Sequence, residues 1–275
     1  MSLKSILCAY SGEVADGSEL RHALRLAKHH DSYLTGVLRH SRAPMETRYQ
    51  GLVPRDIIDK LRSAEMDHIA EIERKFTKTM DNATMGDRSE FIDLEPDDGL
   101  RLSELARYYD LIVTGTQGSA LTDAHMAANP ESIALNSGRP VLIVPQGYEA
   151  EGLSRHAIIA WDGKKSAARA LGDAMQTLES KPKVTVLTIG NTPPEAVPGG
   201  GIMTLLERHG VHAVSLHVPR DRRGVARIID EAAQQVGAEL LVMGAFEHSK
   251  FSQDLFGGVT HEILKSARIP VLMSH

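Results

Sequence analysis

The chain has 275 residues, longer than one ordinary domain, so it holds one large or two ordinary domains, each able to bury a core. Its 36 acidic and 31 basic residues leave a net charge of −5 at pH 7, which offers no footprint for nucleic acid. A single cysteine, Cys8, excludes an internal disulfide and suits a reducing compartment, and no apolar run is long enough to span a bilayer.

Met1-Ser2-Leu3-Lys4 leads straight into an apolar run without the pattern of a signal segment, so a cytoplasmic protein is expected. Ser5 to Gly12 reads as a first strand ending at a glycine. Ser18 to Ala27 reads as a helix with Leu20, Ala23, Leu24 and Ala27 on one face and Ser18 as its N-cap. Tyr33 to Leu38 follows as a second strand. Arg39 to Pro54 is irregular and polar. From Arg55 to about Asn82 the pattern is helical, with Ile57, Ile58, Leu61, Met66, Ile69 and Ile72 as an apolar stripe and charges opposite, a solvated face or a surface for a partner. Glu90 to Leu94 makes a third strand, Gly99 to Tyr108 a helix with Leu102 and Leu105 inward, Asp110 to Gly115 a fourth strand and Arg139 to Pro145 a fifth. Strands alternating with helices predict a parallel sheet with helices on both faces.

Gln146 to Gly152 is polar and glycine-bearing, a linker, and then the order restarts. His156 to Gly163 matches the opening strand, with Asp162-Gly163 aligned to Ser11-Gly12. Ser166 to Leu171 parallels the first helix, Val184 to Ile189 the second strand and Ala213 to Val218 the third. Asp110-Leu111-Ile112-Val113-Thr114-Gly115 aligns with Glu239-Leu240-Leu241-Val242-Met243-Gly244, and Pro140-Val141-Leu142-Ile143 with Pro270-Val271-Leu272-Met273. The chain is a tandem duplication. Gly199-Gly200-Gly201 follows prolines rather than a strand and reads as a flexible connection into a helix carrying Ile202, Met203, Leu205 and Leu206.

Leu240 to Met243 is an apolar run of the kind a parallel sheet buries, and Gly244 ends it. Gly257-Gly258 then precede a helical run from Val259 to Lys265. Backbone N–H groups at that helix start favour an anion, most simply a phosphate, although glycines serving only turns and packing would read the same way. His248, Ser249 and Lys250 lie within the loop, and Lys250 could meet a phosphate as a point charge. The histidines lack ligand spacing, so no metal site is expected. Ser249 has no nucleophile elbow, and no catalytic residue is assigned.

These residues resemble the universal stress protein family in its two-domain form. The likeness is strongest through Ala160-Trp161-Asp162-Gly163, Val242-Met243-Gly244-Ala245, His248-Ser249, Phe256-Gly257-Gly258-Val259-Thr260 and the terminal Pro270-Val271-Leu272-Met273. The resemblance implies an α/β fold of two tandem flavodoxin-like (adenine nucleotide α-hydrolase-like) domains, residues 1–147 and 153–275. Each would be a five-stranded parallel sheet with helices on both faces, and the two would pair through their fifth strands.

Many members bind ATP through a G-x2-G-x9-G-(S/T) loop and an acid ending the first strand. On that pattern Asp162 would accept from a ribose hydroxyl, and Gly244 would allow close approach of the nucleotide. Gly257, Gly258, Val259 and Thr260 would ring the phosphates with His248 and Ser249 in the loop, and adenine would pack near Thr188 and Ile189. ATP with Mg is the implied cofactor. Two positions depart from the pattern: Glu247 stands where the second glycine belongs, and Gly258 replaces the Ser or Thr. In the first half Gly115-Thr116-Gln117-Gly118 keeps the loop's opening. Ser11, however, stands where the acid belongs, and Ala127-Ala128 take the later glycine position. The resemblance implies a cytoplasmic stress-response regulator that binds an adenine nucleotide in its second domain, with at most slow ATP hydrolysis and an unidentified protein partner. It forms an intrachain pseudo-dimer that could pair further as a homodimer. The alternative is a nucleotide-free scaffold of the same fold.

Overall fold

The computed structural model describes residues 3–12, 17–40, 54–95, 99–116, 128–150, 152–191, 197–245 and 258–275. In the first half β1 (Ser5–Ala9), α1 (Ser18–His30), β2 (Tyr33–Arg39), α2 (Arg55–Asn82), β3 (Ser89–Leu94), α3 (Leu102–Leu105), β4 (Leu111–Gly115), α4 (Pro130–Ser137) and β5 (Val141–Val144) follow in order. The second half runs β6 (His156–Ala160), α5 (Lys165–Glu179), β7 (Lys183–Ile189), α6 (Gly201–Arg208), β8 (Ala213–Val218), α7 (Val225–Val236), β9 (Leu240–Gly244), α8 (Gly258–Ser266) and β10 (Val271–Ser274).

The strands form one sheet in the order β3-β2-β1-β4-β5-β10-β9-β6-β7-β8. Neighbours are parallel except β5 and β10, which pair antiparallel. Leu142 faces Leu272 there, flanked by Ile143 with Val271 and Val141 with Met273. Leu142 and Leu272 are equivalent in the repeat, so a pseudo-two-fold axis passes between them. Both halves therefore share one continuous sheet joined through their fifth strands.

The duplication extends to single atoms at the opposite edge of the sheet. Asp110 Oδ2 accepts from the N–H groups of Lys4 at 2.8 Å and Ser5 at 3.0 Å, and Glu239 Oε2 accepts from Arg155 N–H at 2.6 Å. Each acid fixes the entry of its half's first strand from the residue before its fourth. Side chains alternating along the strands feed two apolar layers. One contains Ile6, Cys8, Leu34, Phe76, Ile159, Ala170, Val186 and Val242 under α1, α2, α5 and α6; the other contains Leu7, Ile112, Ile143, Ile158, Ile229, Leu241 and Met273 under α3, α4, α7 and α8.

Several local expectations need correction. Ser18 is the first helical residue rather than the N-cap. Gly17 caps the helix in a left-handed conformation (φ 52°), and Ser18 Oγ accepts from Arg21 Nη2 at 3.1 Å instead of from the backbone. The α2 stripe divides in two. Ile72, Phe76 and Met80 are buried, whereas Ile57, Leu61 and Met66 are exposed, because the first half of the helix has no sheet beneath it to bury them. The helix expected over Gly99 to Tyr108 is one short turn continued by a 3-10 turn, Ala106–Tyr108. Helix α7 adds to the elements expected from the sequence, with Ala226, Ile229 and Ala233 at helical spacing burying its inner face.

Candidate functional site

In a doubly wound sheet a crevice forms at the carboxyl edge where successive connections leave in opposite directions, and ligands bind there. Each half has one such place: between β1 and β4, and between β6 and β9. In the second half Ala160 pairs with Met243, so Trp161 and Asp162 leave β6 beside the point where Gly244 ends β9. Helix α8 crosses from β9 back to β10, both parallel, so its Gly258 end also faces the carboxyl edge.

Asp162 is half exposed, its side chain at 53%. Its Oδ1 accepts from Lys164 N–H at 3.0 Å, closing a tight turn through left-handed Gly163 (φ 76°), and Oδ2 lies 3.9 Å from Lys164 Nζ. That leaves carboxylate lone pairs toward solvent. Lys164 is the residue beside Asp162 that the repeat comparison did not single out; the Asp-Gly-x turn signal points to it.

Gly244 lets α5 pack closely on the end of β9. A Cβ there would lie 2.4 Å from Ala167 N and from the carbonyl carbon of Ser166, so the first turn of α5 already occupies that space. Close packing of helix on strand accounts for this glycine. Ile189 is partly buried against the α7 side of the sheet, and the Thr188 hydroxyl is hydrogen-bonded to His217 Nδ1 at 3.1 Å. Val259 packs on the same apolar layer, and Thr260 is only 7% exposed. Glu247, His248, Ser249, Lys250 and Gly257 lie outside the described residues.

Among the described residues, nothing lies within 4 Å of a Cβ built on Gly163 or Gly258. The first half is built otherwise at the matching positions. A Cβ on Gly12, the counterpart of Gly163, would lie 2.4 Å from Ile72 Cγ1 of α2. Gly36 admits the Phe76 ring to within 2.5 Å of its Cβ position, where the second half has buried Val186 filling its own space. Phe76 also contacts Tyr10, the counterpart of Trp161, with ring centroids 6.4 Å apart. At the end of β2, His40 Nδ1 lies 3.7 Å from Glu65 Oε1 of α2 and its Nε2 3.0 Å from Asp93 Oδ1. These are ion-pair distances without hydrogen-bond alignment. Helix α2 thus meets the end of β1 through Ile72 and packs along β2 through Phe76 and Glu65.

Comparison with known proteins agrees with this architecture. Residues 154–275 match the model of the universal stress protein family. The second half is a universal stress protein domain. A universal stress protein from Synechocystis sp. is 28% identical over 178 residues, 62% of this chain and 60% of that relative. Among solved structures, a universal stress protein from Archaeoglobus fulgidus DSM 4304 superposes with a TM-score of 0.71 at 13% identity, covering 98% of this chain and 96% of its own. A protein described as a candidate universal stress protein, from Pseudomonas aeruginosa UCBPP-PA14, gives 0.59 at 15% identity over 99% of this chain and 93% of its own. These structural likenesses establish the fold across both halves. Among the described residues, no helix is long and apolar enough to cross a membrane and no group of three acid, His or Cys side chains could hold a metal ion.

Proposed function

We propose that the universal stress domain of the second half, residues 153–275, binds one adenine nucleotide, most simply ATP, at the crevice between β6 and β9, and that residues 1–147 form a degenerate partner domain. The observation that carries this reading is the space that the described residues leave at Gly163 and Gly258 beside a half-exposed Asp162, set against the occupied space at Gly12. Asp162 would accept from a ribose hydroxyl. The N–H groups of Gly258, Val259 and Thr260, at the positive end of the α8 dipole, would meet the phosphates with His248, Ser249 and Gly257 from the preceding loop. Adenine would lie toward Ile189. Mg accompanying the phosphates would offset the negative charge that Glu247 brings to the loop.

On this reading the protein acts as a nucleotide-dependent regulator in the cytoplasm, through a protein partner and with at most slow hydrolysis. Titration calorimetry of the full chain with ATP and Mg tests the reading. One site per chain is expected, weakened about tenfold in Asp162→Ala. No heat and no thermal stabilisation at millimolar ATP would leave a nucleotide-free scaffold as the function.

A further inference from the structure

Helix α2 is longer than the sheet requires. Its second half is anchored by Ile72, Phe76 and Met80, while the overhang, Arg55 to His68, carries no buried residue. Within this overhang Ile57 is 43% and Leu61 38% exposed, and Ala64 and His68 are exposed beside them. Spaced four, three and four residues apart, these side chains form one stripe about 90° around the helix from the buried face, at about 100° per residue. That spacing is the alternating seam of a two-helix coiled coil. A helical segment of this length without a packing partner is marginal in water.

We infer that this stripe is a self-association surface on which the α2 overhang of a second copy of the chain lies antiparallel. The occupant follows from charge. Placing Leu61 against Ala64 of the other copy sets Ile57 against His68 and, on the solvent side of the seam, Lys60 against Asp67. Two-fold symmetry makes that ion pair twice. Lys60 and Asp67 have no ion-pair partner among the described residues and are both exposed. The other flank of the stripe, Ile58 and Glu65, turns toward the chain's own body, where Glu65 approaches His40. One flank is thus committed internally, and the other carries a self-complementary charge pattern, as an isologous contact requires.

Sedimentation equilibrium of the full chain at low salt, from micromolar to millimolar protein, tests this. Wild type is expected to show a monomer–dimer equilibrium. Leu61→Glu should raise its dissociation constant at least about tenfold, with an unchanged circular dichroism spectrum since Leu61 is outside the core. Lys60→Glu and Asp67→Lys should each weaken the dimer, and the double variant Lys60→Glu/Asp67→Lys should restore it. A wild type that stays monomeric throughout, a dimer indifferent to Leu61→Glu, or a double variant no better than either single one would overturn the inference. The first of these results would assign the stripe to a different protein.

Discussion

The two halves of this chain carry the same sheet and differ in what lies over its carboxyl edge. In the first, a 28-residue α2 packs against the β1 and β2 ends, Ile72 against Gly12, Phe76 into the space left by Gly36 and Glu65 near His40. In the second, α6 has eight residues, and Val186 fills the slot that Phe76 takes in the other half. Among the described residues, the duplicated frame thus carries a helix side chain against Gly12 in the first half and none against Gly163 in the second. Loss of a site after duplication need not begin with its ligands; here packing of a neighbouring helix would be sufficient.

The largest effect that separates the halves is electrostatic and concerns their first helices. Aligning buried Ala23 and Ala27 with buried Ala170 and Ala174 places His22 opposite Arg169. Arg169 is exposed and paired with Asp173, whereas His22 is buried beside Tyr148, its Nδ1 without a partner. Burial, then Arg25 and Lys181, hold the His22 pKa down from 6.5 to about 4. A lowered histidine pKa means that the unfolded chain takes up the proton first, so stability is intact above pH 6.5 and falls as the pH drops from there toward 4. The loss amounts to about 3 kcal/mol once both values are passed. In urea titrations at neutral and acid pH, His22→Phe should remove that part of the acid sensitivity. An identical pH profile in the variant would show that the first helix is no more acid-sensitive than its repeat.

Next comes the glycine ending each fourth strand. Gly244→Ala drives a Cβ into the backbone of α5 and should cost about 2 to 3 kcal/mol. Gly115→Ala meets only the Glu19 carboxylate at 3.6 Å and should cost under about 1 kcal/mol. Equal costs in equilibrium unfolding would mean that the two helix–strand contacts are alike. A finer contrast concerns Gly12 and Gly163, both left-handed, where alanine costs about 1 kcal/mol for conformation alone. Gly12→Ala should cost about 1 to 2 kcal/mol more through Ile72, and a double-mutant cycle with Ile72→Ala should recover the excess. Without coupling in that cycle, α2 would not be closing the first crevice at this point.

Much of this was legible before any coordinates. Strand positions and the duplication follow from apolar runs, glycine stops and the repeated Pro-Val-Leu endings, since a short parallel strand is buried on both faces and shows itself as an apolar run. The strand order and the pairing of fifth strands come only from the resemblance to the universal stress protein family. What the sequence concealed is tertiary. Gly244 looks like a ligand-facing glycine, yet its Cβ space belongs to Ser166 and Ala167, residues far away along the chain. The α2 stripe reads as continuous because periodicity registers helical faces, not where the sheet beneath ends. Likewise Ser11 marks the first half as lacking an acid, but nothing in its local sequence reveals that Ile72 and Phe76, some sixty residues on, cover the same place.

That last distinction gives the smallest effect and the most direct test of the comparison. Asp162→Ala removes the carboxylate and should weaken ATP about tenfold, the worth of one charge-assisted hydrogen bond to a sugar hydroxyl. Ser11→Ala should leave binding unchanged. Ser11→Asp restores the acid that the first half lacks, but Ile72 still rests on Gly12, so the titration should keep its stoichiometry of one per chain. If the added carboxylate alone raised the stoichiometry to two, the first crevice would be open in solution. The missing acid, rather than the covering helix, would then be what separates the halves. If instead Ser11→Asp binds a second nucleotide only when combined with Ile72→Ala, the helix is the gate and the acid is secondary. That outcome would place the origin of the asymmetry in packing.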